Sequence, residues 1–225
     1  MTRQLATLPV IILGALVPHA HATAQAQGAS SARVVGSSAT AVFAGGCYWT
    51  MENVFEHVRG VTDVVAGLAG GDPALDSAGI AEAVTVSYDT SRVSYVELLR
   101  VFFTVAHDPT QLDRQGPDIG ARYRSELFYE NDDQRSAAAE LISMLEREQR
   151  YSRQIVTRVV PLYHFEPVAA DQQDFAARHP DNPYIRMYDP PKLARLRHEL
   201  PMLYQERLAA RLDADSTISR AHARP

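Results

Sequence analysis

The sequence predicts a single α/β domain with a mixed sheet and helices packed on it. Short β-rich runs alternate with segments whose apolar residues recur at helical spacing, a pattern typical of α/β proteins. Several connections are short, and at least one pair of strands follows without a helix between them, so the sheet is expected to be mixed. No repeat of roughly 20 to 50 residues is visible, which argues against a solenoid or a propeller.

The first half of the domain shows three strands and one helix. Residues 40–44 form a short apolar run, and the two glycines at 45–46 make a tight turn before a helix that ends at Gly60. Residues 61–68 predict a second strand. Residues 83–88 alternate between apolar and polar side chains, which indicates a third strand.

The second half begins with a capping box. Ser94 and Glu97 have its spacing, and the helix that they begin has an apolar face formed by Tyr95, Leu98, Leu99, Phe102 and Phe103. Proline and glycine exclude regular structure until a predicted strand at residues 126–129. Asn131 then caps a further helix, and residues 155–160 close with another β-rich run.

The chain after Val160 is rich in Pro, Asp and His, which predicts an extended segment that wraps the core. The domain is expected to cover residues 40–204. Residues 205–225 alternate charge and alanine and are predicted to form a C-terminal tail.

The first 26 residues have the pattern of a secretory signal peptide. A basic residue at Arg3 is followed by an apolar stretch at residues 5–17 and then by small residues up to Ala26. That stretch would rise only about 20 Å as a helix, short of a bilayer core of about 30 Å, so no stable membrane span is predicted. Residues 27–39 have no periodic order and are interpreted as a linker. We therefore expect an exported protein, periplasmic or secreted.

The composition excludes several kinds of partner and site. Lys and Arg number 22 against 27 Asp and Glu, a formal net charge of −5, so the chain lacks the cationic excess that nucleic acid or an anionic membrane requires. The single cysteine excludes an intramolecular disulfide and a cysteine-rich zinc site. The histidines are scattered, so no metal centre is predicted, and we expect a monomer.

Cys47 is the candidate nucleophile. It follows paired glycines where a strand turns into a helix, and unpaired backbone N–H groups there favour negative charge, so a depressed thiol pKa is expected. The alternative is a buried cysteine that acts as a small hydrophobic residue. Paired glycines allow close approach of another molecule, and Tyr48 and Trp49 place two rings beside the thiol, which favours the nucleophile.

A Cys–His hydrolase is a rival interpretation. His57 lies about 15 Å along the same predicted helix and cannot pair with Cys47. His107 and His164 remain possible in geometry, but no hydrolase signature surrounds either residue. The run at residues 107–110 is interpreted as a helix end stopped by proline.

Multi-residue motifs follow one another in a fixed order along most of the chain. They are Gly45-Gly46-Cys47-Tyr48-Trp49, Ala81-Glu82-Ala83-Val84, His107-Asp108-Pro109-Thr110, Gly116-Pro117-Asp118-Ile119-Gly120, Tyr123-Arg124-Ser125 and Pro183-Tyr184-Ile185. In this order they make the chain resemble the type A peptide methionine sulfoxide reductases, in a form with a single cysteine. The resemblance implies a ferredoxin-like, two-layer α/β plait with an extended C-terminal wrap, and reduction of methionine-S-sulfoxide, free or in proteins.

The resemblance also implies roles for individual residues. Cys47 attacks the sulfoxide sulfur, and Glu82 donates the proton that the leaving oxygen needs, if a dry pocket keeps it protonated. Tyr123 donates a hydrogen bond to that oxygen, and Asp118 organises the site. The apolar wall for the substrate methyl group is formed by Tyr48 and Trp49.

The chain departs from the family pattern around this site. Tyr48 replaces a phenylalanine, Thr50 a glycine and Ile80 a histidine. The segment between Gly71 and Glu82 is shorter than usual and lacks the tyrosine that normally helps to hold the sulfoxide oxygen. An alternative is therefore a catalytically weakened relative that binds methionine-rich or oxidised proteins.

The cysteine count also defines the catalytic cycle that the resemblance implies. Many family members carry a further cysteine that resolves the sulfenic acid, and this chain has none. The reductant must then be an external thiol, either a thioredoxin-like protein or a small thiol, and no bound cofactor is expected.

Overall fold

The computed structural model describes residues 37–72, 74 and 78–207. The predicted signal peptide at residues 1–26 lies outside this part, as do most of the predicted linker and residues 208–225 of the predicted tail. In the described ranges no helix has the length and apolar character needed to cross a membrane.

The secondary structure alternates in the way that the sequence predicts. In chain order the elements are β1 (Ser38–Gly45), α1 (Tyr48–Glu56), β2 (Val61–Gly70), β3 (Ala81–Asp89), α2 (Tyr95–Val101), β4 (Arg114–Gln115), β5 (Asp118–Ile119), β6 (Ser125–Tyr129), α3 (Asp132–Arg147), β7 (Arg158–Pro161), β8 (His164–Pro167), α4 (Phe175–Arg178) and α5 (Pro183–Glu199). A π-helical turn at Phe102–Ala106 continues α2, and a 3₁₀ turn at Ala121–Tyr123 precedes β6.

A mixed sheet of six strands forms one layer of the described chain. Its order is β7-β6-β1-β3-β2-β8; β6 and β7 are parallel, and the other neighbours are antiparallel. Strand β1 begins two residues before the predicted start because Ser38 and Ala39 pair with Asp89 and Tyr88 of β3. The expected mixed sheet with helices packed on it is confirmed.

The two faces of the sheet carry side chains of different size. On the helix-covered face, Phe43 of β1 stacks on Phe55 of α1 with ring centroids 4.9 Å apart and on Phe102 at 5.3 Å. The other face has a core made mostly of small side chains around Val42 and Ala44, with one large ring, Phe128. Val160, Leu162 and Phe165 pack against this core. Successive side chains of a strand point to opposite faces, so β1 contributes to both cores.

The prediction that the chain only wraps the core after Val160 is wrong in part. This region contains β8, which joins one edge of the sheet, and the long helix α5. Strand β7 at the other edge corresponds to the β-rich run predicted at residues 155–160. Asn182 caps α5 by accepting a hydrogen bond from the amide of Tyr184, and Pro183 occupies its first turn. Pro190 and Pro191 lie inside the helix. Because proline is disfavoured in helix interiors, α5 could not be predicted from the sequence.

The end of the described chain is fastened to the domain. The amide of Gln205 donates to the carbonyl of His57 at 2.9 Å, and Arg207 forms ion pairs with Glu56 and Asp174. Residues 205–207 of the predicted tail therefore contact the folded domain.

The strand register places the ends of three strands together. Because Phe43 pairs with Val84 on antiparallel β3, the C-terminal end of β1 lies beside Glu82 at the start of β3. Gly45 at that end also pairs with Ser125, the first residue of β6. The turn after β1 therefore meets the segments that precede β3 and β6.

Candidate active site

Two glycines shape the turn that carries Cys47. Gly46 has φ +105°, and a Cβ atom there would lie 2.7 Å from the side chain of Gln115. A Cβ atom on Gly45 would lie 2.9 Å from the ring of His107. Both positions require glycine because of these close approaches. The turn places Cys47 at the N-cap of α1, as the sequence predicts.

The expected depression of the Cys47 pKa is wrong for the resting structure. Cys47 is buried, and desolvation together with the negative charge of Glu82 raises the pKa of its thiol to about 12. A hydrogen bond from the amide of Trp49 opposes this shift but is weaker. Burial and a neighbouring carboxylate thus outweigh the first turn of the helix.

Glu82 lies directly beside the nucleophile's turn. Its Oε2 accepts a hydrogen bond from the amide of Tyr48 at 3.2 Å, and its side chain is only 7% exposed. Burial raises the pKa of Glu82, whereas the Tyr48 amide and the nearby Arg122 lower it. The dry surroundings that a protonated acid requires are therefore present.

The 3₁₀ turn before β6 brings two further side chains to Glu82. The Tyr123 hydroxyl forms a hydrogen bond that lowers the Glu82 pKa. Arg122 forms an ion pair with Glu82, with 3.0 Å between its guanidinium and Oε1. The guanidinium also lies 5.6 Å from the centre of the Tyr123 ring. Sequence reasoning named Tyr123 and missed Arg122.

Tyr184 links Asp118 to the thiol. Its hydroxyl donates a short hydrogen bond to Oδ2 of Asp118, and it also forms a hydrogen bond with Cys47 that lowers the thiol pKa. Asp118 comes from β5 and Tyr184 from the first turn of α5. The motif around Tyr184 belongs to the resemblance, but no local pattern reveals its contact with Cys47.

Aromatic rings surround Trp49 on the other side of the turn. Trp49 stacks on Phe175 with centroids 3.8 Å apart, and its indole Nε1 donates to Oε1 of Gln172 at 3.3 Å. Tyr48 meets it edge-on at 6.1 Å and Tyr184 at 6.2 Å. These contacts hold the indole in one orientation beside the thiol.

Lys192 is connected to the backbone of Cys47 through the side chain of Thr50. Nζ of Lys192 donates to the hydroxyl of Thr50 at 2.9 Å, and that hydroxyl donates to the carbonyl of Cys47 at 3.2 Å. Desolvation lowers the pKa of Lys192 to about 8, although the charges of Asp189 and Cys47 oppose the shift. Thr50, one of the departures from the family pattern, thus connects a cation to the turn.

His107 has a structural role, as its sequence context predicts. Its Nδ1 lies 2.9 Å from the carbonyl of Phe102, and its Nε2 lies 2.6 Å from Oγ of Ser125. Desolvation lowers its pKa to about 4, so the ring is neutral near pH 7. Both ring nitrogens are engaged, which argues against His107 as the base of a thiol hydrolase.

One acidic cluster in the described chain has the spacing of a metal site. Ligand atoms of Glu52, Glu56 and Asp174 lie within 4.8 Å of one another. The guanidinium of Arg207 contacts Glu56 at 2.9 Å and Asp174 at 2.6 Å. The cation in this cluster is thus an arginine of the same chain.

The four predicted catalytic residues and both predicted substrate-binding rings are brought together. The charge of Asp118 raises the pKa values of Cys47, Glu82 and Tyr123, and the pKa of Tyr48 responds to both Cys47 and Glu82. The arrangement combines a buried thiol, a carboxyl group in dry surroundings and two phenols. Chemically it can present a sulfur nucleophile and a proton donor to one small substrate group.

The sequence model of the peptide methionine sulfoxide reductases matches residues 39–202. The chain belongs to the peptide methionine sulfoxide reductase family. Methionine sulfoxide reductase MsrA 2 of Mesorhizobium japonicum is 43% identical over 187 residues, 80% of this chain and 96% of the relative. MsrA of Natronomonas pharaonis is 42% identical over 168 residues, 71% and 94% of the two chains.

Solved structures of methionine sulfoxide reductases have the same fold. The reductase A of Corynebacterium diphtheriae gives a TM-score of 0.57 at 27% identity and covers 64% of this chain and 76% of its own. Reduced Mxr1 of Saccharomyces cerevisiae gives a TM-score of 0.58 at 25% identity, and the match covers 64% of this chain and 87% of Mxr1. This reductase is accordingly an oxidoreductase that acts on methionine sulfoxide.

Proposed function

We propose that this reductase acts on the S-epimer of methionine sulfoxide, with Cys47 as nucleophile and Glu82 as acid. The supporting observation is the hydrogen bond from the Tyr48 amide to Glu82, which holds the carboxyl group against the turn that carries the thiol. A nucleophile and a proton donor then meet the sulfur and the oxygen of one S–O bond.

The first half-reaction transfers two electrons and one oxygen. The Cys47 thiolate attacks the sulfoxide sulfur, and Glu82 protonates the oxygen. The S–O bond then breaks as the oxygen passes to the Cys47 sulfur, and the bond between the two sulfurs breaks with its electron pair left on the substrate sulfur. The substrate sulfur is reduced to the sulfide, and Cys47 is oxidised to a sulfenic acid that carries the oxygen as its hydroxyl. The proton that Glu82 donates is the one that the Cys47 thiol has given up, and it ends on the hydroxyl of the sulfenic acid, so the protons balance.

Neighbouring side chains orient the substrate. Tyr123 donates a hydrogen bond to the sulfoxide oxygen, since its hydroxyl already contacts Glu82. Asp118 positions Tyr184, whose hydroxyl stabilises the thiolate. Tyr48 and Trp49 form the apolar wall for the methyl group, and stacking on Phe175 keeps the indole fixed.

The second half-reaction uses an external thiol. Cys47 is the single cysteine of the chain, so the sulfenic acid has no internal partner. One external thiol displaces water and forms a mixed disulfide with Cys47, and a second thiol releases the free enzyme and a disulfide. A thioredoxin-like protein, with two thiols, supplies both steps, and small thiols do so as two molecules.

The reductase is proposed to work after export. The pattern of residues 1–26 supports a cleaved signal peptide and a periplasmic or secreted location. Expression of the full chain in a Gram-negative host, followed by fractionation and mass determination of the N-terminus, tests this. A full-length chain that stays in the cytoplasm contradicts export.

Reduction of defined epimers tests the activity. Purified protein is incubated with dithiothreitol and either the S- or the R-epimer of N-acetyl-methionine sulfoxide amide. Sulfide is expected from the S-epimer, and Cys47→Ser should abolish it. Without reductant, a dimedone-type reagent should label Cys47 after one turnover. Saturable substrate binding with no sulfide and no label would support the alternative, a binding protein.

A further inference from the structure

Arg122 raises a conflict with the proposed chemistry. Glu82 must be protonated to act as an acid, but a guanidinium lies 3.0 Å from its Oε1. A positive charge at that distance favours the carboxylate and lowers the Glu82 pKa. Arg122 therefore stabilises the form of Glu82 that cannot donate.

We propose that Arg122 holds Glu82 as a carboxylate in the resting enzyme and thereby restrains the reductase step. This inference rests on the proposed function because it concerns the same acid. Arg122 acts through Glu82, so it is a positioning residue and not a catalytic one. Its side chain is 55% exposed, whereas that of Glu82 is 7% exposed, so the restraint comes from the solvent side of a buried acid.

The restraint follows from proton balance between two groups. In the resting form that we propose, the thiol of Cys47 holds the proton and Arg122 pairs with the Glu82 carboxylate; the reactive form has a thiolate and a protonated acid. Both forms contain the same number of protons. The ratio of the two forms therefore does not change with pH in the range between the titration of Glu82 and that of Cys47. Arg122 favours the resting form, because its charge stabilises the carboxylate.

Other groups around Glu82 act on the same equilibrium. They come from the N-terminus of α1, from β5 and from the 3₁₀ turn, and they are Cys47, the Tyr48 amide, Asp118, Arg122 and Tyr123. Asp118 raises the Glu82 pKa, while the Tyr48 amide and the Tyr123 hydroxyl lower it. Of these groups Arg122 alone carries a positive charge, so its replacement removes the cationic contribution selectively.

The test compares Arg122→Gln with the wild type in a single turnover. Sulfenic acid on Cys47 is quantified at increasing times from pH 5 upward, with the S-epimer of N-acetyl-methionine sulfoxide amide and no reductant. At pH values above the Glu82 pKa, sulfenic acid should form about two- to fivefold faster in the variant than in the wild type. This factor corresponds to the free energy of a partly exposed ion pair. At acid pH, where Glu82 is protonated in both proteins, the rates should converge.

Two further variants make the result specific. Arg122→Lys keeps the charge and should restore the wild-type pH profile. Arg92→Gln removes an exposed arginine in the turn after β3 and should change neither rate nor profile. Equal rates of Arg122→Gln and wild type at every pH overturn the proposal. A slower variant at every pH also overturns it, since the guanidinium then contacts the substrate itself.

A measurement without substrate separates this inference from the proposed function. The Glu82 titration is followed by carbon NMR of protein with labelled glutamate carboxyl groups, assigned with Glu82→Gln. The Glu82 pKa should be higher in Arg122→Gln than in the wild type. Because no turnover is needed, an unchanged pKa overturns the inference even if the reductase assay succeeds. A raised pKa together with a failed reductase assay would keep the effect of Arg122 on Glu82 and overturn the proposed function instead.

Discussion

The Tyr184 hydroxyl donates a hydrogen bond to the carboxylate of Asp118 and at the same time contacts the thiol of Cys47. Its contact with the thiol lowers the Cys47 pKa, against the larger effects of burial and Glu82. A helix from the far end of the chain thus reaches the nucleophile and supports its ionised form. We therefore expect α5 to contribute to function as well as to packing.

Removal of that hydroxyl should make Cys47 less reactive. Tyr184→Phe removes the hydroxyl whose contact lowers the Cys47 pKa, so alkylation by iodoacetamide near pH 8 should slow about three- to tenfold. Tyr188→Phe removes a hydroxyl one turn further along α5 and is the matched control. Equal alkylation rates for the two variants would show that Tyr184 does not stabilise the thiolate.

Lys192 should contribute charge to the same thiolate. Lys192→Met removes the ammonium group that Thr50 connects to the Cys47 carbonyl, so alkylation of Cys47 should slow about two- to fivefold at pH 7. The Lys192 pKa is about 8, so the wild type loses this charge as pH rises through 8. The two proteins should therefore converge above pH 9.

Two further variants test whether charge causes the slower alkylation in Lys192→Met. Lys192→Arg keeps a positive charge and should retain most of the wild-type rate. Thr50→Val removes the connecting hydroxyl while keeping the lysine. If Lys192→Met differs from the wild type by the same factor at pH 7 and pH 10, its effect is one of packing and not of charge.

Much of the sheet can be predicted from local sequence. Alternation along residues 83–88 and the glycines at 45–46 indicate β3 and the turn before α1, since these patterns depend on neighbouring residues alone. Helix α5 could not be predicted because Pro190 and Pro191 lie inside it. Packing of α5 on α1 overrides a local preference that the sequence expresses clearly.

The site shows the same division between local and distant information. Cys47 and Glu82 lie in recognisable motifs, so their candidacy needs no structure. The link from Lys192 to Thr50 spans 142 positions and exists only after α5 has packed. The Cys47 pKa depends on burial and on the charge of Glu82, both tertiary properties, which is why helix position alone predicts the wrong direction.

Acid should weaken the fold through His107. Its pKa falls from 6.5 to about 4 on folding, so the unfolded chain binds a proton first as the pH decreases. The stability that it contributes is present above pH 6.5 and is lost toward pH 4, by about 3 kcal/mol. Urea unfolding of the wild type and of His107→Gln at pH 7 and pH 4.5 measures the difference.

The comparison of wild type with His107→Gln separates the effect of His107 on acid stability from that of the other histidines. Burial also lowers the pKa of His57, but His57 is present in both proteins. The variant is expected to be less stable at pH 7, because it loses the hydrogen bonds to Phe102 and Ser125, and to lose less stability on acidification. His198→Gln, at an exposed position, is the control. A parallel loss of stability in wild type and His107→Gln would contradict a neutral, buried His107.

Residues beyond Tyr204 should stabilise the folded domain. A chain that ends at Tyr204 lacks the amide of Gln205, which bonds to His57, and the guanidinium shared by Glu56 and Asp174. Burial already raises the Glu56 pKa to about 7, and Arg207 opposes that shift, so its loss leaves a buried carboxyl that titrates at still higher pH.

Chains that end at Tyr204 and at Arg207 are compared by thermal unfolding at pH 8. The shorter one should be less stable by about 2–4 kcal/mol, and at pH 6 the gap should shrink because Glu56 is then protonated in both. Equal melting temperatures at pH 8 would show that this ion pair contributes nothing to the fold.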